Sequence, residues 1–306
     1  MADIVGIGCA IHDLMLIVDK FPEEDTKGGA VESKEQSGGP CGVALIAASK
    51  LGVPSKYIGK VGDDNSGNVV QTNLSKYGVD ISDLYVAKGE KTRLCIVISN
   101  RSNSSRTCIG AGGGTPGLTL QPEEVPLTAL KDAKFLHVDG VNYDAALFAA
   151  KKAKEMGVKV SMDADGPGAA GREELISLVD VLVPAERCAY AMAGTDDVEE
   201  AARIIYDRYH PEILVITQGP KGGVLMHNGE LSHYPSYPVD AIDTNGAGDV
   251  FHGALDAALV KGFAPEKAVR FASATSALKC THFGASEGAP SYDAVISFLR
   301  ERGEDF

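Results

Sequence analysis

Seven residues, Asp243 to Asp249 (DTNGAGD), set Gly246, Ala247 and Gly248 between two carboxylates. Behind them, VFHGALDAALVKGF places apolar residues at Val250, Phe251, Ala254, Leu255, Ala258 and Leu259, a spacing that predicts a helix. Ahead lies HYPSYPVDAI, a strand-like stretch bounded by prolines. A helix N-terminus has orphan N–H donors and partial positive charge, so it suits an anion. An acid held in its first turn could take a proton from a hydroxyl as that oxygen attacks phosphorus. The same residues would equally make a tight turn capped by Asp249. On this stretch alone, both readings stay open.

Two further glycine-rich turns bear on the choice. VITQGPKGG ends an apolar run with Thr217, Gly219 and Gly222 poised for phosphate oxygens, and Lys221 is either a phosphate screen or a solvated loop lysine. SGGPCGVALIAASKLG opens a second helix on Gly38 and Gly39. Neither is a G-x-x-x-x-G-K-[ST] loop, and no G-x-G-x-x-G follows a strand, so P-loop and dinucleotide folds are disfavoured. Three such turns in one chain carry more weight than any one.

These turns need a scaffold. DIVGIG, SKYIGKVG, KFLHVDG, VKVSMDAD, VDVLVP and EILVITQG read as short apolar strands, separated by helical stretches such as AALFAAKKAKEMG and DVEEAARIIYDRYH. Continuous rather than alternating strands fit an α/β fold whose parallel sheet is covered on both faces. Residues 12–34 and 91–109 break the rhythm: both read as hairpins with polar turns, either edge strands or a small sheet over the carboxyl ends of the main one. The 306 residues are within reach of one large α/β unit, with no linker to divide them.

Composition excludes several classes. A net charge of −13 argues against nucleic acid and anionic membrane as partners. No stretch is apolar enough to span a bilayer, and the N-terminus lacks a signal peptide's basic region. Six scattered cysteines without CxxC predict reduced thiols in a cytoplasmic protein. Cys9, His12 and Asp13 lack the companions a metal site needs. Asp163 is a candidate at the sheet's carboxyl edge and Asp165 reads as a turn former before Gly166-Pro167. Asp63 and Asp64 read as loop formers, and His137 and His282 as structural residues.

With these residues in view, the chain resembles the PfkB (ribokinase-like) family of carbohydrate kinases. DTNGAGDVFHGAL is similar to its C-terminal signature and GGPCGVALIAASKLG to its N-terminal one, with VGDDNSG, TQGPKG and FASATSALKCTHFGA in the family's order between and after them. The resemblance covers nearly the whole chain. It implies a three-layer sandwich with a mostly parallel central sheet, and makes 12–34 and 91–109 a β lid that excludes water. It also implies ATP-dependent phosphorylation of a sugar-like hydroxyl with Mg²⁺. Asp249 would be the base, and Gly246, Ala247 and Gly248 the anion hole. Asp13, taken to end the first strand, would bind substrate hydroxyls, with Gly38 and Gly39 approaching the sugar. Thr217, Gly219 and Gly222 would contact ATP phosphates. Ser273 and Gly284 would lie on the adenine-side wall. Asp243 and Asn245 match positions near a monovalent-cation site, implying K⁺.

Three departures stand out. Val43 replaces the signature's usual sugar-binding Asn, and in VPAERC the family's N-x-x-E becomes Ala185 and Cys188, with Glu186 alongside. GDVFHGAL and VRFASATSALKCT also resemble the sulfofructose kinase branch, and Arg93, Arg101 and Arg106 fall in the lid segments. A nucleoside kinase of the same fold and a catalytically silent sugar or nucleotide sensor are the alternatives. The apolar lid strands LMLIV and LCIVI are expected to pair in a homodimer.

Overall fold

The chain's apolar runs become the strands of one large sheet. A computed structural model describes residues 2–102, 105–111, 116–165 and 172–306. In chain order the strands are β1 (Ile4–Ile7), β2 (Ile11–Val18), β3 (Glu32–Gly38), β4 (Ser55–Gly62), β5 (Leu84–Ala87), β6 (Arg93–Asn100), β7 (Ser105–Ala111), β8 (Phe135–Val138), β9 (Lys159–Asp163), β10 (Val181–Val183), β11 (Ile213–Thr217), β12 (Gly223–His227) and β13 (Glu230–Tyr234). Nine form the central sheet, in the order β13-β12-β11-β10-β9-β8-β1-β4-β5. From β11 to β5 every pairing is parallel, and β12 and β13 add an antiparallel edge.

The helices are α1 (Pro40–Lys50), α2 (Asn65–Lys76), α3 (Tyr143–Met156), α4 (Glu173–Ile176), α5 (Glu186–Ala193), α6 (Val198–Tyr209), α7 (Ala247–Val260), α8 (Pro265–Cys280), α9 (Ala285–Gly288) and α10 (Tyr292–Arg300). They cover both faces, which is why the strands read as continuous apolar runs. Ile4, Phe135, Val181 and Ile213 face a core shared with α1, α2, α7, α8 and α10. Their neighbours Val5, Leu136, Leu182 and Leu214 face a second core with α3, α4, α5 and α6. Each such side chain, fully buried, contributes about 1.5–3 kcal/mol. The molecule is the expected three-layer α/β sandwich.

The remaining strands form a separate sheet, β3-β2-β6-β7. Its hairpins are antiparallel, but β2 and β6 join them in parallel, setting Asp13 opposite Cys95 on one side and Gln36 on the other. The strands run past the expected segments, to Gly38 and Ala111.

Two local expectations fail. The stretch HYPSYPVDAI is strand only to Tyr234, because Pro235 and Pro238 have no N–H for a ladder. Asp13 does not end the first strand. That strand stops at Ile7 because the next carbonyl, Gly8 O, accepts from Tyr57 Oη and Asn142 Nδ2, both at 2.9 Å, instead of from a neighbouring strand. The chain restarts in the smaller sheet, and Asp13 is the third residue of β2.

The central sheet's order reverses at β1, from which the chain runs outward to β4 on one side and β8 on the other. Open α/β sheets bind ligands at the carboxyl ends of strands beside such a reversal.

Candidate active site

Helix α7 begins there. Gly246 is its N-cap at φ 74, and among the described residues no side chain caps the helix. A Cβ on Gly246 would lie 2.3 Å from Ala285 Cβ, so both the backbone angle and the space demand glycine. The amides of Gly248 and Asp249 fall in the first turn, where no intrahelical acceptor exists. Ser276 Oγ donates to Ala247 O at 2.8 Å, fixing the turn from α8. Deeper, Gly253 lets α7 press against α1: a Cβ there would sit 2.0 Å from Ala44 O. Val43, in place of the expected Asn, packs with Ala47, Val250, Ala285 and Ala289 beneath this turn.

Asp249 is half-buried, and its pKa is pushed up to about 7 by burial and then by the Asp163 charge, with His252 opposing. Asp13 is also raised to about 7, by burial and then by the Asp249 charge. The structure therefore brings these two carboxylates into one field. Gly38 lies against Asp13, since a Cβ there would be 2.2 Å from Asp13 Oδ2. Gly39 lies over the Cys9 carbonyl where α1 begins. Under α7, His252 Nδ1 is 2.9 Å from Asp163 Oδ2, and His137 Nδ1 is 2.8 Å from Asp256 Oδ2. Burial pulls His252 down, but Asp163, with Asp165 and Asp249, more than offsets this and leaves it at about 9.

The ends of β9, β10 and β11 face the same turn. Asp165 accepts from Ala185 N, and a Cβ on Gly248 would lie 3.9 Å from Asp165 Oδ2. Burial, then the Asp163 charge, raises Asp165. Its expected partner in the turn, Gly166-Pro167, lies outside the described residues. Thr217 ends β11, and Gly219 and Gly222 flank a tight turn closed by Gln218 N to Gly222 O at 2.8 Å. Glu186 reaches this turn, accepting from Gln218 Nε2 at 2.6 Å and pairing with Lys221 at 3.5 Å. Ser273 Oγ donates to Pro235 O at 2.8 Å, and Gly284 N to Asp243 Oδ2 at 3.0 Å. Asp243 Oδ1 accepts from Asn245 N at 3.0 Å. Lys279, fully buried, donates from Nζ to Asp243 O at 2.6 Å. Burial pulls its amine below the ordinary lysine range, and the Asp243 carboxylate opposes that.

The sequence model of the pfkB family carbohydrate kinases matches residues 1–291. The chain belongs to that family. An ATP-dependent ribose-1-phosphate kinase from Halopiger xanaduensis is 30% identical to this kinase over 99% of both chains. A ribokinase from Thermotoga maritima superposes with a TM-score of 0.83 at 25% identity, over 98% of this chain and 100% of that one. An Arabidopsis thaliana ribokinase, solved with ribose and ATP, superposes at 0.82 and 23% identity over 98% and 99%. With relatives of these kinds, the protein is an ATP-dependent carbohydrate kinase.

Several residues around this turn carry little signal in the sequence. Gln36, 2% exposed, faces Asp13 across β2 and β3, and lowers its pKa without a well-aligned bond. Its carboxamide has no hydrogen-bond partner among the described residues. Its only signal was a polar residue two positions before the glycine pair. Asp165 was read as a turn former, although Asp-x-Asp closing a strand is itself a signal. Lys279, inside FASATSALKCTHFGA, has no signal of its own in the sequence. Other candidates are structural: Asp64 caps α2 through Gly67 N and holds Thr92, Asp63 holds Gly89 N, and His12 bonds Ser66.

Proposed function

We propose that this kinase transfers the γ-phosphoryl group of ATP to a sugar hydroxyl, with Asp249 as general base. The observation that carries the reading is an acid with a pKa of about 7 at an uncapped helix N-terminus, in the field of a second acid, Asp13. Asp13 and the unpartnered Gln36 amide hold the sugar's hydroxyls, with Gly38 and Gly39 giving close backbone approach. One hydroxyl gives its proton to Asp249 as its oxygen forms the new O–P bond and the bond to the leaving ADP breaks. The turn of Gly246, Ala247 and Gly248, with the helix dipole, stabilises the charge on the transferred group, the Gly248 amide being free among the described residues while that of Ala247 donates to Thr244 O at 3.3 Å.

Thr217, Gly219 and Gly222 hold the nucleotide phosphates and Ser273 belongs to the wall beyond, whereas Gly284, expected on that wall, lies against Gln36 on the sugar side, where a Cβ would be 3.0 Å from Gln36 Oε1. ATP supplies the phosphoryl group. The carboxylates fit Mg²⁺: Asp165 is raised beside Asp163, a repulsion a cation relieves, and Glu186 reaches the phosphate turn. They take the place of the absent N-x-x-E pair.

The four-stranded sheet acts as the lid. In support, Arg106 of β7 donates to Thr244 O at 2.9 Å, reaching the anion turn from the lid. The apolar strands β2 and β6, expected to pair in a homodimer, are already paired on both sides within the sheet, so two lids pair instead through the outer strand β7, exposed throughout. All six cysteines are unbridged, which fits a reducing cytoplasm, and among the described residues no helix is long and apolar enough to cross a membrane.

A second reading of the substrate, a sugar bearing phosphate or sulfonate, is favoured by Arg93. This half-buried residue lies beside Cys9 at the substrate end.

The deciding experiment screens sugars, sugar phosphates, sulfosugars and nucleosides for ADP release with Mg²⁺. A sugar or sugar phosphate should give turnover that Asp249→Asn abolishes without changing thermal unfolding. Full turnover in Asp249→Asn would remove it as the base. Turnover with nucleosides alone would make this a nucleoside kinase, and ligand-induced stabilisation without ADP would make it a sensor.

A further inference from the structure

The family resemblance implies a K⁺ site at Asp243 and Asn245, and the donors present do not fit one. Asp243 knits two loops together. Its N–H and that of Ile242 both donate to Cys280 O, at 3.1 and 2.8 Å, and its carboxylate accepts from Asn245 N and Gly284 N. The oxygens that a monovalent cation would seek are thus facing backbone donors, and a positive group already stands among them. Lys279, in the last turn of α8, is 0% exposed; its Nζ donates to Asp243 O at 2.6 Å and lies 3.7 Å from Asp243 Oδ2. Gly288 gives its stem room, since a Cβ there would already lie 3.3 Å from Lys279 Cε.

We propose that the Lys279 ammonium is a tethered replacement for the monovalent cation, so that the kinase needs no K⁺. Ammonium and K⁺ are close in size and both seek carbonyl and carboxylate oxygens. A covalent ammonium is present at every salt concentration, whereas a bound ion is present only in proportion to its supply. Lys279 holds Asp243, and through it the start of the Gly246–Asp249 turn, in a fixed position. The inference rests on the reading of Asp249 for the purpose of that turn, but not for the presence of the ammonium.

The test is thermal unfolding of the full chain in KCl and in choline chloride at equal ionic strength. The wild-type midpoints should coincide. Lys279→Ala should unfold several degrees lower in choline and be raised by K⁺ or NH₄⁺. Lys279→Met keeps the stem if the alanine variant fails to fold, and should behave the same way. A K⁺-specific rise above about 2 °C in the wild type overturns the proposal. So does a Lys279→Met variant with the wild-type midpoint in every salt.

With a turned-over sugar in hand, ADP release should be indifferent to K⁺ in the wild type and K⁺-stimulated in Lys279→Met. K⁺ stimulation of the wild type overturns the proposal. Loss of the Asp249 reading would leave the unfolding result unaffected, so the two failures are distinguishable.

Discussion

His252 Nδ1 stands 2.9 Å from Asp163 Oδ2, with both side chains buried directly beneath the turn of α7 that carries Asp249. Burial pushes Asp163 up, but His252, with the Asp165 amide and His137, more than offsets it and holds the carboxyl below its ordinary value. His252 is itself raised from 6.5 to about 9. A histidine raised on folding contributes its full stability below its unfolded pKa and loses it as pH rises through the folded one. The unfolding midpoint should therefore fall between pH 6.5 and about 9. In His252→Gln this fall should flatten, and stability at pH 6 should drop by about 3–5 kcal/mol because a buried carboxylate loses its partner. A wild-type midpoint flat across the interval would contradict the pairing.

The role proposed for Asp249 makes activity respond to pH. A general base works only when deprotonated, so kcat/KM should fall as pH drops through about 7. A profile flat down to pH 5 would show that burial and Asp163 do not raise the working carboxylate.

Gln36→Leu separates binding from folding. Losing one neutral hydrogen bond to the sugar should raise its KM by about tenfold while the KM for ATP holds. Thermal stability should change by less than about 1 kcal/mol, because the loss of the interaction that lowers Asp13 is set against the removal of a poorly satisfied buried carboxamide. A stability loss with unchanged KM would assign Gln36 to the fold alone.

Gly253→Ala probes the contact of α1 with α7. The added methyl meets the Ala44 carbonyl and forces the helices apart, at a cost of about 1–3 kcal/mol. Urea unfolding reads the loss directly. An unchanged midpoint would mean that the helices separate freely.

Six parallel strands of the central sheet were legible, because strands buried on both faces are mostly apolar, as in Ile213 to Ile216, whereas β5, β12 and β13 at its two edges were not. The glycine turn that opens α7 was legible because Gly246 sits at a positive φ against Ala285, which no other residue tolerates cheaply. The smaller sheet was legible as two hairpins. Its parallel join of β2 to β6 was not, since no local pattern names a strand's partner.

The amino-acid sequence by itself determined the layers, the helix that bears Asp249 and the three glycine turns, all of which are local consequences of burial and backbone freedom. Only the tertiary structure decided that Lys279 meets Asp243, that His252 meets Asp163 and that Gln36 faces Asp13. A charge or an amide in a chain does not announce its partner. Its pairing is settled when folding removes water from both groups and leaves each the other as its remaining compensation.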